Sequence, residues 1–186
     1  LRLPSGKLLD WGNLDFDVNL IVSDAATDRA GQLFFDVFAV DGFLGDLPLV
    51  NLAYAPFLEV LPRKYRFRVL AATISRWWML TLADASGRAV PIQFIANDGN
   101  LLVSPVSLIS LPQQGNGERY DIVVDFSRFK VGDKITVRYY DNIVITNEDK
   151  TILTVYANGQ PSVSQSRGGV DYICQVEVVP AADVKI

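Results

Sequence analysis

A chain of 186 residues that is 49% hydrophobic and 20% charged can bury roughly 70% of its unfolded surface, enough for one globular core. Seventeen lysines and arginines against 21 acids leave a net charge of -4 with no basic cluster, which argues against a nucleic-acid partner. No apolar run reaches the ~18 residues needed for a membrane span, and no charged-then-apolar leader precedes the first strand.

Taken in chain order, the residues read as strands with no amphipathic helix. Phe16, Val18, Leu20 and Val22 alternate with Asp15, Asp17 and Asn19, the period of a strand with one buried face. The connection 27–46 is too long for a tight hairpin and is punctuated by Gly42 and Gly45. Its aromatics Phe34, Phe35, Phe38 and Phe43 predict a segment packed down on the domain. Leu49–Asn51 reads as a short strand. Pro62 lacks an amide donor and places the start of the next strand near Arg63, after which Tyr65, Phe67 and Val69 alternate with Arg66 and Arg68. From Ile74 to Leu82 the apolar residues Trp77, Trp78, Met79, Leu80 and Leu82 occupy both parities, which predicts protein on both faces.

Turn chemistry separates these runs. Asn97-Asp98-Gly99 offers residues that tolerate positive φ between two apolar segments, and Ser86-Gly87 does the same inside the polar stretch Asp84–Arg88. Further on, Tyr120, Ile122, Val124 and Phe126 alternate with Asp121 and Asp125, and Ile135, Val137 and Tyr139 with Thr136 and Arg138. Residues 141–171 form a second long excursion, expected as a surface loop; it contains a strand-like run, Thr151–Tyr156, and a Gly-, Ser-, Gln- and Asn-rich half, Asn158–Gly169. Tyr172, Cys174, Val176 and Val178 then alternate with Gln175 and Glu177. About eight or more strands predict an all-β Greek-key sandwich or barrel.

The chemistry turns on an absence, because the chain contains no histidine. A blue copper centre needs two imidazoles and a thiolate, and Ser-His-Asp and Cys-His nucleophiles need one imidazole, so none is assembled from this chain. Cys174 is the single thiol; it has no disulfide partner here, and its parity predicts a buried strand residue. Asp121 with Asp125, and Asp15 with Asp17, share strand faces. They offer a carboxylate pair for a hydrolase, although alternating acids ordinarily mark a solvated face. Tyr120 is expected to return its hydroxyl to a loop backbone, and Arg119 to bridge a neighbouring acid. Arg66 and Arg68 are expected to meet acids across the sheet or a neighbouring domain. Trp77 and Trp78 are adjacent and therefore face opposite ways; one is expected in the core and the other at a domain contact. The alternative is a free-standing β-sandwich that binds carbohydrate or protein through one of them. No catalytic, cofactor-binding or metal-ligating residue is assigned.

Seven stretches carry a resemblance: DFDVNLIVSD (Asp15–Asp24), QLFFDVFAVDGFLGD (Gln32–Asp46), LVN (Leu49–Asn51), PFLEVLPRKYRFRVL (Pro56–Leu70), SRWW (Ser75–Trp78), PIQFIANDGNLL (Pro91–Leu102) and ERYDIVVDFS (Glu118–Ser127). In order and spacing they resemble the middle domain of three-domain multicopper oxidases, the group that includes spore-coat laccases, bilirubin oxidases and related manganese-oxidising enzymes. One departure stands after the arginine strand, where Ala71, Ala72 and Thr73 replace the group's usual Asn-Ala-Ser.

The resemblance implies a cupredoxin-like domain over 15–179 without a copper site, flanked by interdomain connections at 1–14 and 180–186. It further implies copper in the outer domains of the parent and neighbouring cupredoxin domains as partners. A small aromatic or metal-ion substrate would lie at a domain boundary. The parent would take electrons one at a time from a phenol, a bilirubin-like tetrapyrrole or a metal ion and reduce dioxygen to water, while the isolated chain would oxidise nothing. Extracellular, periplasmic, spore-coat and cytoplasmic locations are all compatible with it.

Overall fold

Period-two sequences become strands wherever each face finds a partner, and two sheets result. A computed structural model describes residues 16–39, 42–140 and, as strand backbone, 174–178. The strands are β1 (Asp17–Thr27), β2 (Leu33–Phe34), β3 (Leu47–Val50), β4 (Ala53–Tyr54), β5 (Phe57–Val60) and β6 (Lys64–Ala71), followed by β7 (Met79–Asp84), β8 (Ile92–Asn97), β9 (Asn100–Leu108), β10 (Arg119–Asp125), β11 (Lys134–Tyr140) and β12 (Cys174–Val178). The larger sheet runs β4-β3-β1-β6-β10-β8-β9 with β2 paired to β1, and the smaller runs β5-β12-β11-β7. Successive strands β5, β6, β7 and β8 alternate between the sheets, so the fold is an all-β sandwich. Two pairings are parallel, β1 with β6 and β12 with β5.

The core lies between the sheets. Val18, Leu20 and Val22 of β1, Tyr65, Phe67 and Val69 of β6, and Tyr120, Ile122 and Val124 of β10 point inward, with Leu80, Leu82, Ile135, Val137 and Tyr139 from the smaller sheet. Each fully buried large apolar side chain contributes about 1.5–3 kcal/mol. Trp78 is completely enclosed and meets Tyr139 edge-on at 4.9 Å between centroids. The chain turns after β10 through one 3-10 turn, Phe126–Arg128, capped by Asp125, whose carboxylate accepts from the Ser127 amide.

Several expectations hold. β1, β6, β10 and β11 carry the predicted alternation, and β6 begins one residue after Arg63. Asp98 and Gly99 have φ of 46° and 85°, the paired positive values of a two-residue hairpin turn joining β8 to β9. β7 is buried on both faces from Leu80 to Ala83. It begins only at Met79, however: the chain bends at Ile74–Ser75, and Arg76 is buried while Ile74 and Trp77 are exposed. Its second edge is closed by bridges from Trp78 to Gln114, Thr81 to Ser110 and Ala83 to Ala89, which leaves it no open edge to pair with another chain. The Ala71-Ala72-Thr73 departure is absorbed locally. The Ala72 amide donates to Val22 O at 2.8 Å, Thr73 Oγ1 donates to Arg76 O at 2.6 Å, and the Asn116 side-chain amide donates to Ile74 O.

One expectation fails. Of the aromatics in the 27–46 connection only Phe43 is buried, while Phe34, Phe35 and Phe38 are exposed. An aromatic in a long connection packs down only if a surface lies above it, and among the described residues none does. The 141–171 loop with its Thr151–Tyr156 run, Asp15, both proposed connections and the Cys174 side chain lie outside the described residues. The Cys174 backbone pairs with Val137.

Candidate functional site: an anchored apolar segment

The segment that leaves β1 and returns through β3 is fixed at both ends. At the first, β2 pairs back on β1 through Ala26 with Phe34 and Thr27 with Leu33. The Asp28 carboxylate closes the intervening turn by accepting from the Ala30 and Gln32 amides at 2.8 and 2.9 Å. Further along, Asp36 accepts from the Phe38 amide at 2.9 Å.

The second end is held by a buried ion pair. Asp24 Oδ2 accepts from Arg76 Nε at 3.0 Å and from the Gly45 amide at 2.8 Å, while Arg76 Nη2 donates to Gly45 O at 2.7 Å. The two side chains are 2% and 7% exposed, and the guanidinium lies 5.7 Å from the Trp78 ring. Removing one member of such a pair strands the other charge in the interior, at a cost of roughly 3–5 kcal/mol. Glycine is required beside it, since a Cβ at Gly45 would overlap the Ala25 backbone. Gly42, at φ +85°, would likewise collide with Ser75. Phe43 is buried and rests on Phe35 at 4.8 Å between centroids.

Between these anchors Leu33, Phe34, Phe35, Val37 and Phe38 present apolar side chains to solvent, Phe38 at 88%. Ser75, which faces Gly42, is bracketed by Ile74 and Trp77, both also exposed. A run of large apolar groups on a tied-down backbone marks an interaction surface more than a chance scatter does.

The residues singled out from sequence are distributed over the whole domain. Trp78 fills the core and Trp77 faces out, 51% exposed, as the opposite-face argument requires. On the outer face of the larger sheet Arg68 grips Asp17 through Nε at 2.9 Å and Nη2 at 2.7 Å, and Arg66 meets Asp121. The hydrogen bond from Arg68 holds the Asp17 carboxyl below its ordinary range, and the same bond raises the Arg68 guanidinium. Asp125 is lowered by the Ser127 hydroxyl and amide that it caps. Each of these acids therefore has a structural partner. Tyr120 donates its hydroxyl to Gln113 O at 3.1 Å, burial raises its phenol, and Arg119 lies 3.4 Å from Asp98. Sequence reasoning missed the Arg76–Asp24 clamp. Its available signal was a lone cation inside the apolar run SRWWMLTL, the position where a charge must be either paired or absent.

No family model matches the chain. Among curated proteins it is 35% identical over 139 residues to the laccase of Bacillus subtilis (strain 168), a match spanning 68% of this chain and 26% of that protein. It is 39% identical over 121 residues to the cell division protein FtsP of Sodalis glossinidius (strain morsitans), covering 65% of this chain and 24% of the relative. The McoA multicopper oxidase from the hyperthermophile Aquifex aeolicus superposes on 96% of this chain and 34% of its own, with a TM-score of 0.71 and 27% identity. The chain belongs to the multicopper oxidase family. Its sandwich is cupredoxin-like, and it spans about a quarter of the length of the curated relatives it matches.

Copper is the metal this family implies, and the chain's donor set does not fit it. Blue copper takes imidazole nitrogen beside thiolate sulfur, and there is no imidazole here. Among the described residues no three His, Cys, Asp or Glu side chains gather, and no helix is long and apolar enough to cross a membrane.

Proposed function

We propose that this chain is the copper-free middle domain of a laccase-like multicopper oxidase, with the domain proper at 15–179 and connections at 1–14 and 180–186. Its work is mechanical. It holds two copper-bearing outer domains at the separation their shared cluster requires, and its loops supply one wall of the reducing-substrate pocket. Rigid elements braced by buried polar contacts suit that task, since small errors in placement are costly at a shared site. The parent, on this reading, removes single electrons from a reducing substrate and delivers them to dioxygen, which leaves as water. The observation that carries the proposal is the pairing of a multicopper oxidase fold, matched over about a quarter of its relatives, with a complete lack of histidine.

The test is the copper content and size of the natural polypeptide beside those of the 186-residue chain. The expected result is a longer natural protein that carries copper and consumes dioxygen with a phenolic dye, while the 186-residue chain takes up no stoichiometric copper. Stoichiometric copper in the chain, or a natural protein that ends where the chain does, overturns the proposal. The match with a protein named for cell division gives one further outcome its meaning. A long natural polypeptide without copper would keep the spacer role and remove the oxidase.

A further inference from the structure

We propose that the segment Leu33–Phe38 is a docking face for a neighbouring domain of the same polypeptide, held ready by the Arg76–Asp24 clamp; this rests on the middle-domain reading and names its contact surface. The segment is costly as it stands. Leu33, Val37 and Phe38 are 83%, 69% and 88% exposed, and hydration of apolar surface is what folding ordinarily removes. It is also ordered: β2 pairing and Asp28 fix one end, and Asp24, Arg76 and buried Phe43 fix the other. Ordering an apolar surface before it is covered lowers the entropy lost when a partner arrives.

The chemistry of the segment selects its occupant. A small-molecule site is concave and carries a few convergent polar groups, whereas these side chains extend into open solvent and the Asp36 carboxylate is occupied by the Phe38 amide. A protein surface fits better. Asp28, Asp36 and Asp46 outnumber Arg29 along the connection, so the complementary surface has an apolar centre and a cationic rim. A tethered domain outcompetes a second copy because the linker holds it at high effective concentration, and the relatives are about four times as long as the stretch this chain matches.

The experiment uses the natural full-length polypeptide. Hydroxyl-radical footprinting of the unmodified protein reads Phe34, Phe35 and Phe38 directly; coverage by a domain should slow their oxidation several-fold relative to the urea-unfolded protein. In parallel, Phe38 is replaced by the photoreactive p-benzoylphenylalanine, which keeps an aromatic ring at an exposed position. The expected product is an intramolecular cross-link to a peptide outside residues 1–186. A cross-link between two copies, a cross-link confined to residues 1–186, or free oxidation of Phe38 in a protein that does carry further domains overturns the docking face and leaves the middle-domain reading standing. A natural polypeptide without further domains overturns both.

Discussion

The outer face of β1, β6 and β10 and the segment 33–38 both meet solvent, but the first carries ion pairs across its strands and the second large apolar side chains. On the sheet two arginines of β6 meet an acid on a neighbouring strand: Arg68 on Asp17, and Arg66 on Asp121. On the segment, large apolar side chains face water, while β2 pairing holds one end of the connection and the buried ion pair holds the other at Gly45. Exposure alone therefore says little about function. The informative contrast is between a surface whose charges pair across strands and a surface that is anchored yet left apolar.

That contrast can be broken most forcefully at the clamp. Asp24→Ala leaves the Arg76 guanidinium buried without its carboxylate, and urea unfolding of the 186-residue chain should show a loss of roughly 3–5 kcal/mol. A loss as small as that of a surface pair would mean that the buried pair does not anchor the connection at Gly45. Tyr120→Phe keeps the ring and removes the hydroxyl bond to Gln113, so the same measurement should give about 0.5–1.5 kcal/mol.

The ion-paired face should prove weak. A double-mutant cycle on Arg68→Ala and Asp17→Ala should return a coupling of about 0.2–1 kcal/mol, because both side chains are substantially exposed and salt screens them. Acid offers a related reading at the β7 turn. The Ser86 hydroxyl, with the Arg88 and Ser86 amides, holds the Asp84 carboxyl at about 2 against an ordinary value of 3.8. A depressed folded value stabilises fully above the ordinary value and loses that contribution as pH falls towards about 2. Asp84→Asn should therefore flatten the acid-side fall in unfolding midpoint over that window; an unchanged slope would show that other carboxylates control it. The smallest effect on stability is expected from Phe38→Ser in the 186-residue chain, within ~0.5 kcal/mol, accompanied by weaker binding of an apolar fluorescent dye. A large destabilisation there would mean Phe38 packs on its own domain after all.

The strands legible in the sequence share one property, which is a single buried face. β1, β6, β10 and β11 alternate because one side of each meets the core, and the Asp98-Gly99 turn was readable because positive φ restricts the residues that tolerate it. β9 escaped notice since it runs along the rim of its sheet with neither face enclosed and Pro105 in its middle, so no hydrophobic period is imposed. β5 is only four residues long, and its parallel partner β12 lies more than a hundred positions away.

The chain's own letters thus determined the all-β class, the main alternating strands, the Tyr120 hydroxyl bond and the want of imidazole, because period, turn preference and ligand chemistry are local or compositional. Tertiary structure alone decided that Arg76 would meet Asp24 across 52 positions and that Phe34, Phe35 and Phe38 would stand in water while Phe43 was enclosed. Whether a side chain is covered depends on which distant segment arrives above it, and no local pattern encodes that arrival.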